Sequence, residues 1–107
     1  MVDKFVVVRW LLQNVGVLRE ISAIVSKWND AAGLAEKLEI VYQVAKALLP
    51  IIESFPLFQA QAQAITEQEA QEDLAKIQSL GIALPILLNV VAPIVTSLIR
   101  VLISRDE

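Results

Sequence analysis

From Ile77 to Ile99 the chain carries no charged side chain, and no other stretch restricts the fold as strongly. It exceeds the roughly 20 residues that an α-helix needs to cross the hydrocarbon core of a bilayer. Gly81 marks a break before it, and Pro85 suits the first turn of a helix, where backbone amides have no intrahelical partner. A helix over about 82–104 is therefore expected. Around its cylinder Asn89, Pro93, Thr96, Ser97, Arg100 and Ser104 fall on one narrow face, and the rest is Leu, Ile, Val or Ala. Leu84, Leu87, Leu88, Val91, Val95, Leu98 and Leu102 form the expected membrane or assembly face. The polar stripe of Asn89, Thr96, Ser97 and Arg100 is expected to meet another helix or a water-filled path.

Composition sharpens the problem. A chain of 107 residues suits one domain. Hydrophobic residues make up 56% of it and the mean hydropathy is +0.60, against about 45–50% apolar in an ordinary soluble domain. A domain this small buries less than about 70% of its unfolded surface, so the surplus needs a partner or a lipid phase.

The absences exclude whole classes of chemistry. With no His and no Cys, imidazole acid–base catalysis, thiol nucleophiles, disulfides and the common zinc sites are out of reach. The serines have no His partner, and Gly16, Gly33 and Gly81 stand alone, so no phosphate loop forms. A net charge of −3 with no basic cluster argues against nucleic acid. No catalytic residue, cofactor, metal or small-molecule substrate is expected. Lys4 precedes the run Phe5–Val8, but Arg9 interrupts it without a small-residue cleavage site. No secretory signal peptide is expected.

The remaining apolar residues recur at helical spacing. Val7, Trp10, Asn14, Val17, Ile21, Ile24 and Trp28 form one seam, widened by Leu11, Leu18 and Val25. This predicts a single helix over about 2–28, with Arg9, Gln13, Glu20 and Lys27 on its far side. Asn14 interrupts the seam, where a buried amide can set register between copies. Trp10 and Trp28 lie five turns apart on that helix and are expected to pack into a bundle rather than mark two membrane surfaces. Asn29-Asp30 offers a cap for a second helix over about 31–55, with a seam of Leu34, Leu38, Val41, Ala45, Leu48, Ile52 and Phe55. Pro50 should kink that helix and Pro56 end it. The short connection makes the two an antiparallel hairpin.

Gln59–Ala64 alternates, but Gln and Ala favour helix over strand. Thr66 with Glu69 fits a capping box, so either a short loop precedes a helix over about 66–80 or one polar, Gln/Ala/Glu-rich helix runs from near Leu57 to 80. Glu67, Glu69, Glu72 and Asp73 read there as a solvated acidic face, not as a carboxylate site.

The expected fold class is all-α: an amphipathic hairpin, an acidic solvated helix and a long apolar carboxyl-terminal helix, in one domain. The expected function is that of a non-catalytic, self-associating structural subunit, its last helix held in lipid or in an assembly's core. Expected partners are itself, other assembly subunits and a lipid membrane. The expected location is a membrane or a large assembly. In size and layout the chain resembles small membrane and virion components, a likeness of composition without a diagnostic motif. Two alternatives are a soluble helical module offering its apolar helix to a different protein, and a holin-like pore former.

Overall fold

Asp3 opens the first helix: its side-chain oxygen accepts the Phe5 amide at 2.8 Å, taking up a donor that the first turn leaves unpaired. The computed structural model describes residues 3–105, so the expected start at Val2 lies outside the described residues. The structure is 83% helical with no strand among the described residues, which bears out the all-α class. Its extents are 39 × 38 × 22 Å, a thick plate.

The single helix expected over 2–28 is instead two. α1 spans Lys4–Gln13 and α2 spans Val15–Val25, separated by Asn14 at φ −116°, ψ 59°. In an unbroken helix the Asn14 amide would donate to the Trp10 carbonyl. Here the Asn14 side-chain Nδ2 takes that place at 2.8 Å, while the backbone amide donates to Leu11 at 2.9 Å. An Asn side chain competes with the backbone for such carbonyls, and Val15 and Gly16, poor helix formers, follow at once. Val7, Trp10 and Leu11 are buried in α1 and Leu18, Ile21 and Val25 in α2, while Val17 and Ile24 are only half-buried.

A 3₁₀ turn, Trp28–Asp30, leads to α3, Leu34–Ile52. Neither Asn29 nor Asp30 caps α3. Gly33 occupies that position without a side-chain bond, and Glu36 reaches back to accept the Ala32 amide at 2.9 Å. The hairpin is antiparallel: one groove between α2 and α3 sets Lys27 and Ala31 beside Glu36 and Ile40, the next sets Glu20 and Ile24 beside Lys46 and Pro50.

Pro50 lies inside α3 without ending it, and the chain turns at Glu53 into α4, Ser54–Gln61, with 67° between the two helices. Pro56, expected as a terminator, sits in the first turn of α4. In a continuous helix its ring would strike the Ile52 carbonyl, four residues back, so the chain bends and restarts. Ser54 holds the corner. Its hydroxyl donates to the Ile51 carbonyl at 2.6 Å and accepts the Trp10 indole N–H at 3.0 Å, and the Trp10 and Phe55 rings meet edge to face at 5.0 Å.

After a loop through Ile65, the Thr66–Glu69 capping box is present in full and opens α5, Glu67–Ser79. The helix closes on a reciprocal pair of bonds: Gly81 N–H to Gln78 and Ile82 N–H to Ile77, with Gly81 at φ +84°. That left-handed position suits glycine because it has no Cβ to strike the following carbonyl.

The last segment is one continuous helical rod in three parts: α6 (Leu84–Ile86), a π-helical stretch (Leu87–Val91) and α7 (Ala92–Arg105). Pro93 explains the wide turn. It has no N–H for the Asn89 carbonyl and its ring would crowd it; widening lets Ala92 donate to Leu87, five residues back.

Candidate assembly face

The expected embedded face of the last helix proves to be the fold's own interior. Leu87, Val91 and Val95 are 0–1% exposed, and Leu84, Leu88, Leu98 and Leu102 are half-buried. All but Leu102 pack with Leu11, Leu18, Val44 and Leu48 from the preceding helices in one core. Asn89, Pro93, Ser97, Arg100 and Ser104 are exposed, so the polar stripe faces outward and lines no interior path. Thr96 is half-buried and donates to the Ala92 carbonyl at 3.2 Å. The reason is economy of core: an almost wholly apolar helix has one narrow polar strip to give to water, and the fold orients that strip outward.

By length and composition Leu84–Ser104 can cross a membrane, and 33% of an apolar 18-residue stretch within it is buried inside the fold. Grooves run along both sides of its outward strip. One, about 730 Å³, has Lys4, Thr96, Ser97 and Arg100 in its lining; the other, about 410 Å³, runs between the rod and α3 past Trp28, Val41, Ala45 and Pro93.

Asn14 is not an unpartnered amide. It is half-buried at the break between α1 and α2, bonded within its own chain.

The acidic helix is not wholly solvated either. Asp73 is 6% exposed, with its carboxylate 3.0 Å from the Arg9 Nε, and Glu69 lies 3.3 Å from the Arg9 Nη1. Arg9, assigned to a far side by periodicity, thus ties α1 to α5. Desolvation opposes its charge, but hydrogen bonds and charge attraction from Asp73 and Glu69 prevail and raise its pKa further. The Thr66 backbone and hydroxyl bonds, followed by Arg9, hold the Glu69 carboxyl below its ordinary pKa. This is a structural clasp. Among the described residues no group of three acids converges to hold a metal ion.

The longest row of apolar side chains left without a partner is on α3, although Leu57 in α4 and Val101 and Ile103 in α7 are also more than half exposed. Leu34 is 74% exposed, Leu38 56%, Tyr42 62% and Leu49 56%. At 3.6 residues per turn these four lie within an arc of about 80° on the outer side of the helix. Val41 and Ala45, half-buried, join the arc to the groove against the rod. Leu34 and Leu38 were expected in the α3 seam, and that expectation fails. Leu48, Ile52 and Phe55 are buried as expected, but toward the start of the helix Ile40, Val44 and Ala47 face the core instead. The seam was ambiguous because α3 is apolar around most of its circumference, and one helix cannot turn two faces toward one core. That double apolar face is the sequence signal for the exposed stripe; periodicity read as a single seam passes over it.

Trp28 lies half-buried at the edge of this surface, with the Lys37 ammonium 5.3 Å above its ring. Trp10 is fully buried, so the two rings do not share one helix face.

Comparison of the chain with protein-family models, with curated proteins and with solved structures gives no match in any of the three. The chain is a small all-α protein with a closed core and an exposed apolar stripe along α3.

Proposed function

We propose that this protein is a non-catalytic helical subunit that works by self-association, through apolar surface its own fold leaves uncovered. One observation carries the reading: Leu34, Leu38, Tyr42 and Leu49 stand more than half exposed along one side of α3. Small soluble monomers rarely present contiguous apolar patches of more than a few hundred Å², and larger ones mark interaction surfaces. Covering such a stripe contributes roughly 25 cal/mol per Å² of apolar area removed from water.

A second reading has its own support. Leu84–Ser104 has the length and apolarity of a membrane span. Insertion would withdraw Leu87, Val91 and Val95 from the core and carry the Asn89–Arg100 strip into hydrocarbon, so this reading requires the fold to open or a partner to cover the strip.

Membrane fractionation with an alkaline carbonate wash, then sizing with and without detergent, separates the two. Self-association predicts release by the wash and an oligomer in detergent-free buffer. Membrane anchorage predicts retention through the wash and solubility only in detergent. A wash-released monomer overturns both.

A further inference from the structure

We infer that the outer face of α3 pairs with the same face of a second copy, antiparallel, about a two-fold axis beside Tyr42. This rests on the self-association reading above and specifies the surface and geometry that perform it.

The charges around the stripe select the partner. Glu39 and Lys46 are exposed and border it on the same side, seven residues apart. In antiparallel packing, matching flanks of the two helices meet. With the axis between Tyr42 and Gln43, Glu39 of each copy stands opposite Lys46 of the other, giving two equivalent ion pairs from one chain. Parallel two-fold packing would set this flank against the opposite one, which carries Val41 and Leu48, and would leave Glu39 and Lys46 without each other. The other flank carries Lys37, which is drawn over the Trp28 ring within its own chain and so adds no like-charge pair.

A bilayer surface fits these residues less well. Helices that lie in the interface are rich in Lys and Arg on their polar side, whereas α3 balances Glu36 and Glu39 with Lys37 and Lys46. The isologous arrangement also suits the stripe's layout, because a two-fold contact needs one self-complementary patch. Leu38 and Leu49 lie on either side of the axis, and Val41 and Ala45 lie near it.

The test uses the full chain, which has no cysteine of its own. Tyr42→Cys sits at the axis and, treated with a short bismaleimide, gives a covalent dimer. Leu34→Cys treated alike does not, because antiparallel copies hold their Leu34 positions about 25 Å apart. Glu39→Lys raises the dimer dissociation constant about tenfold, and Glu39→Lys with Lys46→Glu restores it to within about threefold. Leu38→Glu gives a species of 11.8 kDa with unchanged helical circular dichroism, since Leu38 supports no core contact that folding needs. An oligomer whose Tyr42→Cys form does not cross-link, or whose charge reversal does not rescue, overturns the α3 pairing and leaves self-association standing. Efficient cross-linking through Leu34→Cys overturns the antiparallel geometry. A monomer at all concentrations overturns the pairing and the self-association reading together.

Discussion

Arg9 donates through its Nε to the Asp73 carboxylate at 3.0 Å, joining the first helix to the fifth across 64 residues of chain. Asp73 is 6% exposed, whereas Arg9 keeps partial access to water. Removing the cation strands a carboxylate in a nearly dry site, which costs more than the pair itself contributes. Arg9→Gln should destabilise the fold by about 2 kcal/mol. Asp73→Asn should cost less, because it leaves Arg9 partly hydrated. Urea denaturation of both single variants and the double should show a non-additive coupling, and strict additivity would contradict the contact.

Acid should loosen the same clasp. Glu69 has its pKa lowered from 4.5 by the Thr66 bonds first and by Arg9 after them. A carboxylate depressed in the folded state contributes stability that is fully present above its unfolded value and is lost as pH falls through the lower folded value. The melting temperature should therefore fall on acidification below 4.5. Glu69→Gln keeps an acceptor for the capping box but no charge, so its melting temperature should fall less over the same interval. Equal slopes for both proteins would argue against the assignment.

Two glycines should respond in opposite directions. Gly81 closes α5 at φ +84°, where an L side chain meets the following carbonyl, so Gly81→Ala should cost about 1–2 kcal/mol. Gly16 lies in the first turn of α2, and no atom beyond its own helical surroundings comes within 4 Å of where a Cβ would stand. Gly16→Ala should therefore stabilise by about 0.4–1 kcal/mol. Thermal melts of the two variants provide the comparison.

The corner at Ser54 offers an optical readout. Its hydroxyl serves both the Trp10 indole and the Ile51 carbonyl, and Trp10 is buried. Ser54→Ala leaves the indole N–H without its acceptor and should cost about 1–3 kcal/mol, with a shift in Trp10 emission. Trp10→Phe and Ser54→Ala together should cost less than the sum of the two alone, because Phe brings no donor to satisfy.

Local signals were the legible ones. The Thr66–Glu69 box, the break at Gly81 and the helical start at Pro85 each depend on a few neighbouring residues and stand where the residues place them. The α2–α3 hairpin was legible for the same reason, since a short connection admits few arrangements. Faces were less legible. Asn14 read as a polar residue in an unbroken seam, but its side chain replaces its own backbone amide at Trp10 and divides the helix. Pro56 read as an end and is a beginning, because proline is tolerated in a first turn. Arg9 and Asp73 read as solvent-facing on their separate helices, and no local pattern announces a pairing between residues so distant in sequence.

The sequence by itself determined the helical class, the ends of several helices and the surplus of apolar surface, because these follow from composition and from interactions within a few residues. Which apolar surface goes inside was decided by tertiary structure. The last helix, the greasiest, turned Leu87, Val91 and Val95 inward and its polar strip outward, leaving Val101 and Ile103 exposed near its end, while α3, apolar on two sides, had room in the core for only one. Burial is a competition among all the helices for one limited interior, and no helix carries in its own sequence the outcome of that competition.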